Sequence, residues 1–170
     1  MNLSDQSLEK IENLIPRFPL KQSAVLPLLH IFQEEKGFIS KNDIEWIANK
    51  LDMQPINVYG LVTFYPMLRE SPSGKRQIKV CRTLSCALKG SYKLCQKLQE
   101  ELNCPLDGTS HDGNYSIEFV ECLASCGTAP IVQVDQKLYE NVSLEKATDF
   151  ANAIRKETET GKEGNFNWNL

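Results

Sequence analysis

The sequences QIKVCRTLSC at residues 77–86 and YSIEFVECLASC at residues 115–126 decide how this chain folds. Each begins with a short run that is rich in β-branched and aromatic residues, which predicts strands over 77–81 and 115–121. Each ends in a pair of cysteines. The four residues are Cys81, Cys86, Cys122 and Cys126. Both pairs are therefore expected in loops that leave the C-terminal ends of the two strands, where adjacent rigid strands can bring four sulfur atoms together.

Four thiolates in two close pairs are the ligands that iron-sulfur clusters, zinc and copper(I) prefer. Four residues separate the cysteines of the first pair and three separate those of the second, whereas structural zinc sites commonly use the tighter C-x2-C spacing. The spacing favours an iron-sulfur cluster and leaves a zinc-stabilised interaction module as an alternative. The sequence contains no C-x-x-C pair, which argues against a thiol-disulfide enzyme.

Composition narrows the class of protein further. The chain of 170 residues is 41% hydrophobic and 24% charged, which is enough to bury a core without disulfides. Its formal net charge of -3 argues against a nucleic-acid binder. The N-terminus has no signal-peptide pattern, and no apolar run approaches the roughly 20 residues that span a bilayer. We therefore expect a soluble protein without membrane insertion, in a reducing compartment.

Residues 1–72 are expected to form a helical unit. Apolar residues at helical spacing predict one helix that ends at Pro16 and three more over about 20–36, 41–51 and 55–65. Pro27 is expected to kink the second helix, and Ser40 with Asp43 resembles a loose capping box before the third. A charged, Ser-, Pro- and Gly-containing stretch at 69–76 marks the boundary.

Residues 73–157 are expected to form a second domain, and residues 158–170 a loose polar tail whose Phe166 and Trp168 dock on a partner. The predicted order in the second domain is β-α-β-β-β-α, which indicates a mixed sheet covered by helices and an α+β fold for the whole chain. The predicted elements are strands at 77–81, 115–121, 131–135 and 137–141 and helices at 90–102 and 144–156.

The motifs CRTLSCALKGSYKL (81–94) and FVECLASCGTAPIVQVDQKLYENVSLEK (119–146) closely resemble the small thioredoxin-like [2Fe-2S] subunit of the NADH-oxidising module of respiratory complex I. The upstream GLVTFYPML (60–68) is similar to that family's helical N-terminal unit, so the resemblance covers about residues 10–156. It implies a thioredoxin-like ferredoxin domain that carries one [2Fe-2S] cluster. The implied ligands are Cys81, Cys86, Cys122 and Cys126. It also implies an electron-transfer subunit of NADH:quinone oxidoreductase that is not catalytic by itself.

The resemblance further implies tight pairing with the large flavoprotein subunit, which holds FMN, binds NADH and carries a [4Fe-4S] cluster, and assembly with further complex I subunits. The location that this implies is cytoplasmic, peripheral to the bacterial inner membrane. The absence of GxGxxG and P-loop motifs is in keeping with NADH and flavin on the partner. Close relatives serve as the equivalent diaphorase subunit of NAD-linked hydrogenases and formate dehydrogenases, and that alternative stays open.

Groups near the cysteines are expected to tune the site. The loop from Arg82 to Ser85 can supply N–H donors, the helix that begins near Gly90 points its positive end toward that loop, and Arg82 adds positive charge. Gly127 allows the backbone to approach the sulfides closely. By contrast, Cys95 on the apolar face of a helix and Cys104 just after that helix are expected to be non-ligands.

Overall fold

A computed structural model describes residues 3–160 of the chain. They divide into two units, one that ends at Pro72 and one that begins at Ser73. The α+β fold is confirmed: the first unit is helical, and the second combines a five-stranded mixed sheet with helices. Within the described part of the chain, no helix is both long and apolar enough to cross a membrane.

The first unit contains four α-helices. They are α1 (Asp5–Leu14), α2 (Val25–Lys36), α3 (Lys41–Leu51) and α4 (Pro55–Phe64), with 3-10 helices at Ile15–Arg17 and Lys21–Ala24. The capping box predicted before α3 is present, because Ser40 accepts from the Asp43 N–H and the Asp43 carboxylate accepts from the Ser40 N–H. Apolar side chains from all four helices form one core, whose fully buried members include Ile11, Leu28, Leu29, Phe32, Ile47, Leu51 and Val58.

The prediction for Pro27 was wrong in its local structure. The sequence placed this residue inside one kinked helix over 20–36, but the chain changes from the 3-10 helix Lys21–Ala24 to α2 at Val25. Pro27 is therefore the third residue of the α-helix. The first four N–H groups of an α-helix have no intrahelical α-type partner, so proline is tolerated there without breaking a bond of the helix interior.

The second unit is built on a sheet of strand order β2-β3-β1-β4-β5. The strands are β1 (Arg76–Cys81), β2 (Gly108–Thr109), β3 (Tyr115–Val120), β4 (Val132–Val134) and β5 (Lys137–Tyr139). β1 pairs in parallel with β3, from Arg76 opposite Tyr115 to Cys81 opposite Val120. The other pairings are antiparallel. The sheet is therefore mixed, and the carboxyl ends of its two long strands lie side by side.

Among the described residues, three α-helices belong to this unit: α5 (Leu84–Leu88), α6 (Ser91–Leu102) and α7 (Ala147–Thr160). The core between α6, α7 and the sheet is formed by apolar side chains, among them Ile78, Val80, Leu94, Leu98, Ile117, Val132, Phe150 and Ile154. Burying each such side chain contributes about 1.5–3 kcal/mol, so this core holds the sheet edge that carries the cysteines in place.

Three local features differ from the sequence prediction. The short helix α5 and the two-residue strand β2 were not predicted. α7 is preceded by a 3-10 helix at Leu144–Lys146 and runs to Thr160, so the predicted helix end at 156 and the start of a loose tail at 158 were wrong. The rest of that tail, including Phe166 and Trp168, lies outside the described residues.

Candidate metal centre

Parallel pairing of β1 and β3 brings the two cysteine pairs to one edge of the sheet. Cys81 is the last residue of β1 and lies opposite Val120, the last residue of β3, and Cys122 follows two residues later. The prediction that both pairs lie in loops was wrong in detail. Cys86 is on the helix α5, and Cys126 begins a 3-10 turn, Cys126–Thr128. The helix at residues 84–88 begins after Thr83, which is extended, and Gly90, at φ +90°, lets the chain turn into α6.

The sulfur atoms are arranged in pairs. Cys122 Sγ and Cys126 Sγ are 3.8 Å apart. Two thiolates bound at about 2.3 Å to one tetrahedral metal ion are also about 3.8 Å apart, so this pair has the separation that a shared metal ion requires. The thiols of Cys81 and Cys86 interact with each other. Among residues 3–160, no three Cys, His, Asp or Glu side chains lie close enough to hold one ion together.

The two pairs differ sharply in exposure. Cys81 and Cys86 are each only 2% exposed, whereas Cys122 and Cys126 are both exposed. The buried cysteines, Cys81 and Cys86, are called the inner pair, and the exposed cysteines, Cys122 and Cys126, the outer pair. The inner pair packs with Ala129 and Ile131 in a small apolar cluster, and Leu123 packs against that cluster. One side of the site is therefore dry and the other faces outward, which is an arrangement in which a partner can approach the outer pair.

Backbone N–H groups surround the sulfur atoms. The Ala124 N–H donates to Cys122 Sγ at 3.3 Å. The Leu123 N–H is directed at the thiol of Cys81 and the Ile131 N–H at the thiol of Cys86, so residues between Cys122 and β4 supply donors to the first pair. Ala124 has φ +61°, a left-handed conformation that is uncommon for a residue with a side chain. A donor set of this kind stabilises negative charge on sulfur.

These donors and the burial set the pKa values of the thiols in opposite directions. Burial raises the pKa of Cys86 to about 11, with a further contribution from the neighbouring Cys81. Burial acts in the same direction on Cys81, but donation from the Leu123 N–H, the Thr83 N–H and the Thr83 hydroxyl outweighs it and lowers the pKa of Cys81. The adjacent Cys122 raises the pKa of Cys126. The thiolate is therefore better stabilised at Cys81 than at Cys86.

The positive charge predicted at Arg82 is paired. Its guanidinium donates from Nε at 3.0 Å and from Nη2 at 2.6 Å to Glu121 Oε1. Arg82 follows Cys81 and Glu121 precedes Cys122, so the ion pair joins the two segments at the point where they leave the sheet. The pairing largely offsets the expected contribution of Arg82 to the charge of the site, and it joins the two segments through an exposed ion pair.

A second link, which the sequence did not indicate, holds the outer pair. The hydroxyls of Ser125 and Thr128, on either side of Cys126, both donate to Oε1 of Glu140, with the Thr128 bond at 2.7 Å. The Asn141 N–H also donates to the Thr128 carbonyl at 2.7 Å. Glu140 follows β5 and is remote in sequence from the cysteines, so no local pattern could have revealed these contacts.

The remaining cysteines lie in the other core of this unit. Cys95 and Cys104 are buried in the cluster between α6, α7 and the sheet, separate from the apolar cluster of Cys81 and Cys86. Burial raises the pKa of Cys95 to about 11 and also raises the pKa of Cys104. The Cys104 thiol donates to the Tyr115 carbonyl at 3.4 Å. The structure therefore does not bring either thiol together with the four candidate ligands.

Comparison with known proteins gives a consistent result. Residues 11–155 match the profile of the thioredoxin-like [2Fe-2S] ferredoxin family. A subunit of the NADH-quinone oxidoreductase of Rickettsia bellii is 34% identical over 153 residues, which cover 88% of this chain and 92% of that protein. A subunit of the same enzyme from Thermus thermophilus is 36% identical over 141 residues, which cover 82% of this chain and 78% of that protein.

Two further comparisons define how far the similarity extends. The NADH-quinone oxidoreductase relative from Mycobacterium tuberculosis is 31% identical over 147 residues, which are 86% of this chain and only 58% of that longer protein. Among solved structures, the air-oxidised NAD⁺-reducing [NiFe]-hydrogenase has a TM-score of 0.67 at 13% identity and covers 83% of this chain, which spans 24% of the hydrogenase chain. At that identity the likeness is one of fold.

Proposed function

Because this chain belongs to the thioredoxin-like [2Fe-2S] ferredoxin family, we propose that it carries single electrons as an iron-sulfur subunit of an NADH:quinone oxidoreductase. The proposed ligands are Cys81, Cys86, Cys122 and Cys126. The observation that carries the proposal is the convergence of two cysteine pairs at the ends of the parallel strands β1 and β3, with the outer sulfur atoms 3.8 Å apart.

The donor set fits a dinuclear cluster better than one zinc ion. A tetrahedral zinc site needs all four sulfur atoms around one metal ion, whereas a [2Fe-2S] cluster needs two pairs, one for each iron. The paired arrangement supports the second, because Cys122 Sγ and Cys126 Sγ are 3.8 Å apart and the thiols of Cys81 and Cys86 interact with each other. Such a cluster supplies one-electron transfer when it is bound.

The protein's own residues then have three tasks. The four cysteines hold the irons, and the N–H groups of Leu123, Ala124 and Ile131 stabilise the negative charge on the sulfur atoms. The apolar cluster of Ala129 and Ile131 keeps water from the inner pair. The exposure of Cys122 and Cys126 leaves a face where an electron donor or acceptor can come close.

The relatives support the type of assembly. Those at 31–36% identity belong to NADH-quinone oxidoreductases, which favours complex I over the hydrogenase and formate dehydrogenase alternatives. We infer that the immediate partner is the FMN- and NADH-binding flavoprotein subunit with its [4Fe-4S] cluster. The complex would then lie in the cytoplasm at the bacterial inner membrane. The activity belongs to the assembly and not to this chain alone.

Spectroscopy and metal analysis of the purified chain test the cluster. We expect about two iron atoms and two acid-labile sulfides per chain, visible absorption that dithionite bleaches, and an electron paramagnetic resonance signal that appears on reduction. Zinc in place of iron, with neither absorption nor signal, would contradict the proposal and support the zinc-stabilised module.

Co-expression with the flavoprotein encoded beside this chain tests the partner. We expect the two proteins to purify together in equal amounts with bound FMN and to oxidise NADH with an artificial acceptor. If the neighbouring genes encode hydrogenase or formate dehydrogenase subunits, and the chain purifies with those instead, the assignment to complex I is wrong while the electron-transfer role stands.

A further inference from the structure

The carboxylate of Glu140 is the common acceptor for two hydroxyl groups that flank Cys126. Ser125 Oγ and Thr128 Oγ1 both donate to Glu140 Oε1, and the two hydroxyl oxygens are 2.9 Å from each other. Thr128 Oγ1 also lies 3.2 Å from the Ser125 carbonyl, which is a more distant acceptor for the same proton. Because a hydroxyl has a single proton to donate, the carboxylate holds the two hydroxyls side by side when both protons go to Glu140.

Glu140 is exposed, but backbone hydrogen bonds hold the same turn beside it. The Thr128 N–H donates to the Ser125 carbonyl at 3.2 Å, which closes the turn around Cys126, and the Asn141 N–H donates to the Thr128 carbonyl at 2.7 Å. Donation from Ser125 and Thr128 lowers the pKa of Glu140, so the carboxylate is ionised at neutral pH. Hydrogen bonds to a charged acceptor are stronger than those between neutral groups.

Cys126 has few contacts that could fix it. It is exposed and lies outside the apolar cluster that packs around Cys81 and Cys86, and outside its own turn its thiol meets only Cys122 and the hydroxyl of Ser85 among the contacts described. Core packing therefore positions the inner pair, whereas the outer pair depends mainly on its own short turn.

We propose that Glu140 is a positioning residue for the outer cysteine pair, acting through the hydroxyls of Ser125 and Thr128 to hold Cys126 at ligand distance from Cys122. This inference rests on the proposed cluster. It concerns a residue that is neither a cysteine nor adjacent to one in sequence. Groups that orient metal ligands typically change metal retention by about 10- to 100-fold when they are removed.

The test compares two substitutions in the full chain. Glu140→Ala removes the acceptor, and we expect the cluster to be lost to a chelator about 10- to 100-fold faster, with a changed or broadened electron paramagnetic resonance signal. Glu140→Gln keeps an oxygen that can accept both hydroxyl protons, and we expect it to restore most of the signal shape and of the retention time. Glu100→Gln, which neutralises an exposed carboxylate on the last turn of α6, is the matched control and should behave as the wild type.

A double-mutant cycle separates this route from a general loss of structure. Ser125→Ala with Thr128→Val should reproduce the effect of Glu140→Ala, and adding Glu140→Ala to that variant should change the chelation rate by less than about twofold, because the partners are already gone. In the metal-free protein, Glu140→Ala should speed amide hydrogen exchange at 125–128 while thermal unfolding of the sheet domain stays close to that of the wild type.

Three results would overturn the inference: a chelation rate in Glu140→Ala within about twofold of the wild type, equal damage in Glu140→Gln and Glu140→Ala, or additive effects in the cycle. Failure of the proposed function looks different, because a wild-type protein that holds no cluster would show no reduced-state signal at all. In that case the hydrogen-exchange comparison still reports whether Glu140 holds the turn.

Discussion

Replacing one exposed and one buried cysteine by serine is expected to produce opposite defects. Cys122→Ser should lose or strongly perturb the cluster but leave the stability of the metal-free fold nearly unchanged, because Cys122 is exposed and packs in no core. Cys95→Ser should leave the visible absorption nearly intact but lower the stability of the fold, because the Cys95 side chain on α6 is fully buried in the core of the second unit.

The expected size of the Cys95→Ser effect follows from its surroundings. Burial of a hydroxyl without a partner costs about 1–3 kcal/mol in proteins. Here Gln99 Nε2 lies 3.7 Å from Cys95 Sγ, and a helical serine can also donate to the carbonyl four residues earlier. We therefore expect a loss of about 1–2 kcal/mol in the free energy of unfolding. In a domain of this size each kcal/mol lowers Tm by about 4–8 °C.

Two measurements on each variant are sufficient. Visible and electron paramagnetic resonance spectra report the cluster, and thermal unfolding of the metal-free protein, followed by circular dichroism, reports the fold. Wild type and Cys104→Ser serve as references, the second because Cys104 is another buried thiol of the same core. Equal loss of the cluster in Cys122→Ser and Cys95→Ser, or normal spectra in Cys122→Ser, would refute the division into ligand and core cysteines.

Three further predictions use other parts of the chain. In the metal-free protein, the Cys95 pKa of about 11 leaves about one thiolate in 3,000 at pH 7.5, against about one in ten for a free cysteine. Iodoacetamide should therefore label Cys95 at least 100-fold more slowly in the folded protein than after unfolding in urea. Comparable labelling rates in the two states would contradict the burial of Cys95. Gly74→Ala should destabilise the second unit by about 1–3 kcal/mol in urea unfolding, because an added Cβ would lie 2.3 Å from the backbone carbon of Tyr115; an unchanged midpoint would contradict this close approach. Burial acts to raise the pKa of Asp43, but hydrogen bonds from Lys36 and Ser40 outweigh it and lower the pKa in the folded protein. The resulting stability is complete above the pKa of the unfolded chain, near 3.8, and is lost as pH falls through the lower folded pKa. Asp43→Asn should therefore remove that part of the acid sensitivity of the helical unit and cost about 1 kcal/mol at pH 7, and acid-unfolding curves parallel to those of the wild type would contradict this.

The sequence predicted those elements whose signal is periodic. The strands β1 and β3 and the helices α3 and α6 have enough residues for the alternation of apolar and polar positions to appear, and their bounds agree with the structure to within about a residue. Both cysteine pairs were predicted at the carboxyl ends of adjacent strands, and two adjacent strands whose carboxyl ends lie together are parallel, as β1 and β3 are.

What the sequence missed is either short or long-range. α5 has five residues, fewer than two turns, so it cannot display a helical period. The pairing of Arg82 with Glu121 and the acceptance of two hydroxyl protons by Glu140 both join residues that are remote in the chain. No local rule indicates contacts of this kind, because they depend on which loops the sheet topology places next to each other.

The side-by-side carboxyl ends of β1 and β3 also constrain the order of biogenesis. Cys81 and Cys122 come from segments that meet only after the sheet has formed, since α6 and β2 intervene between them along the chain. In an unfolded chain the two cysteine pairs would be separate dithiols, and each could bind a metal ion other than the iron of the cluster. We therefore expect iron insertion at all four cysteines to need the pairing of β1 with β3, and the bound cluster would then hold the two strand ends together against local opening.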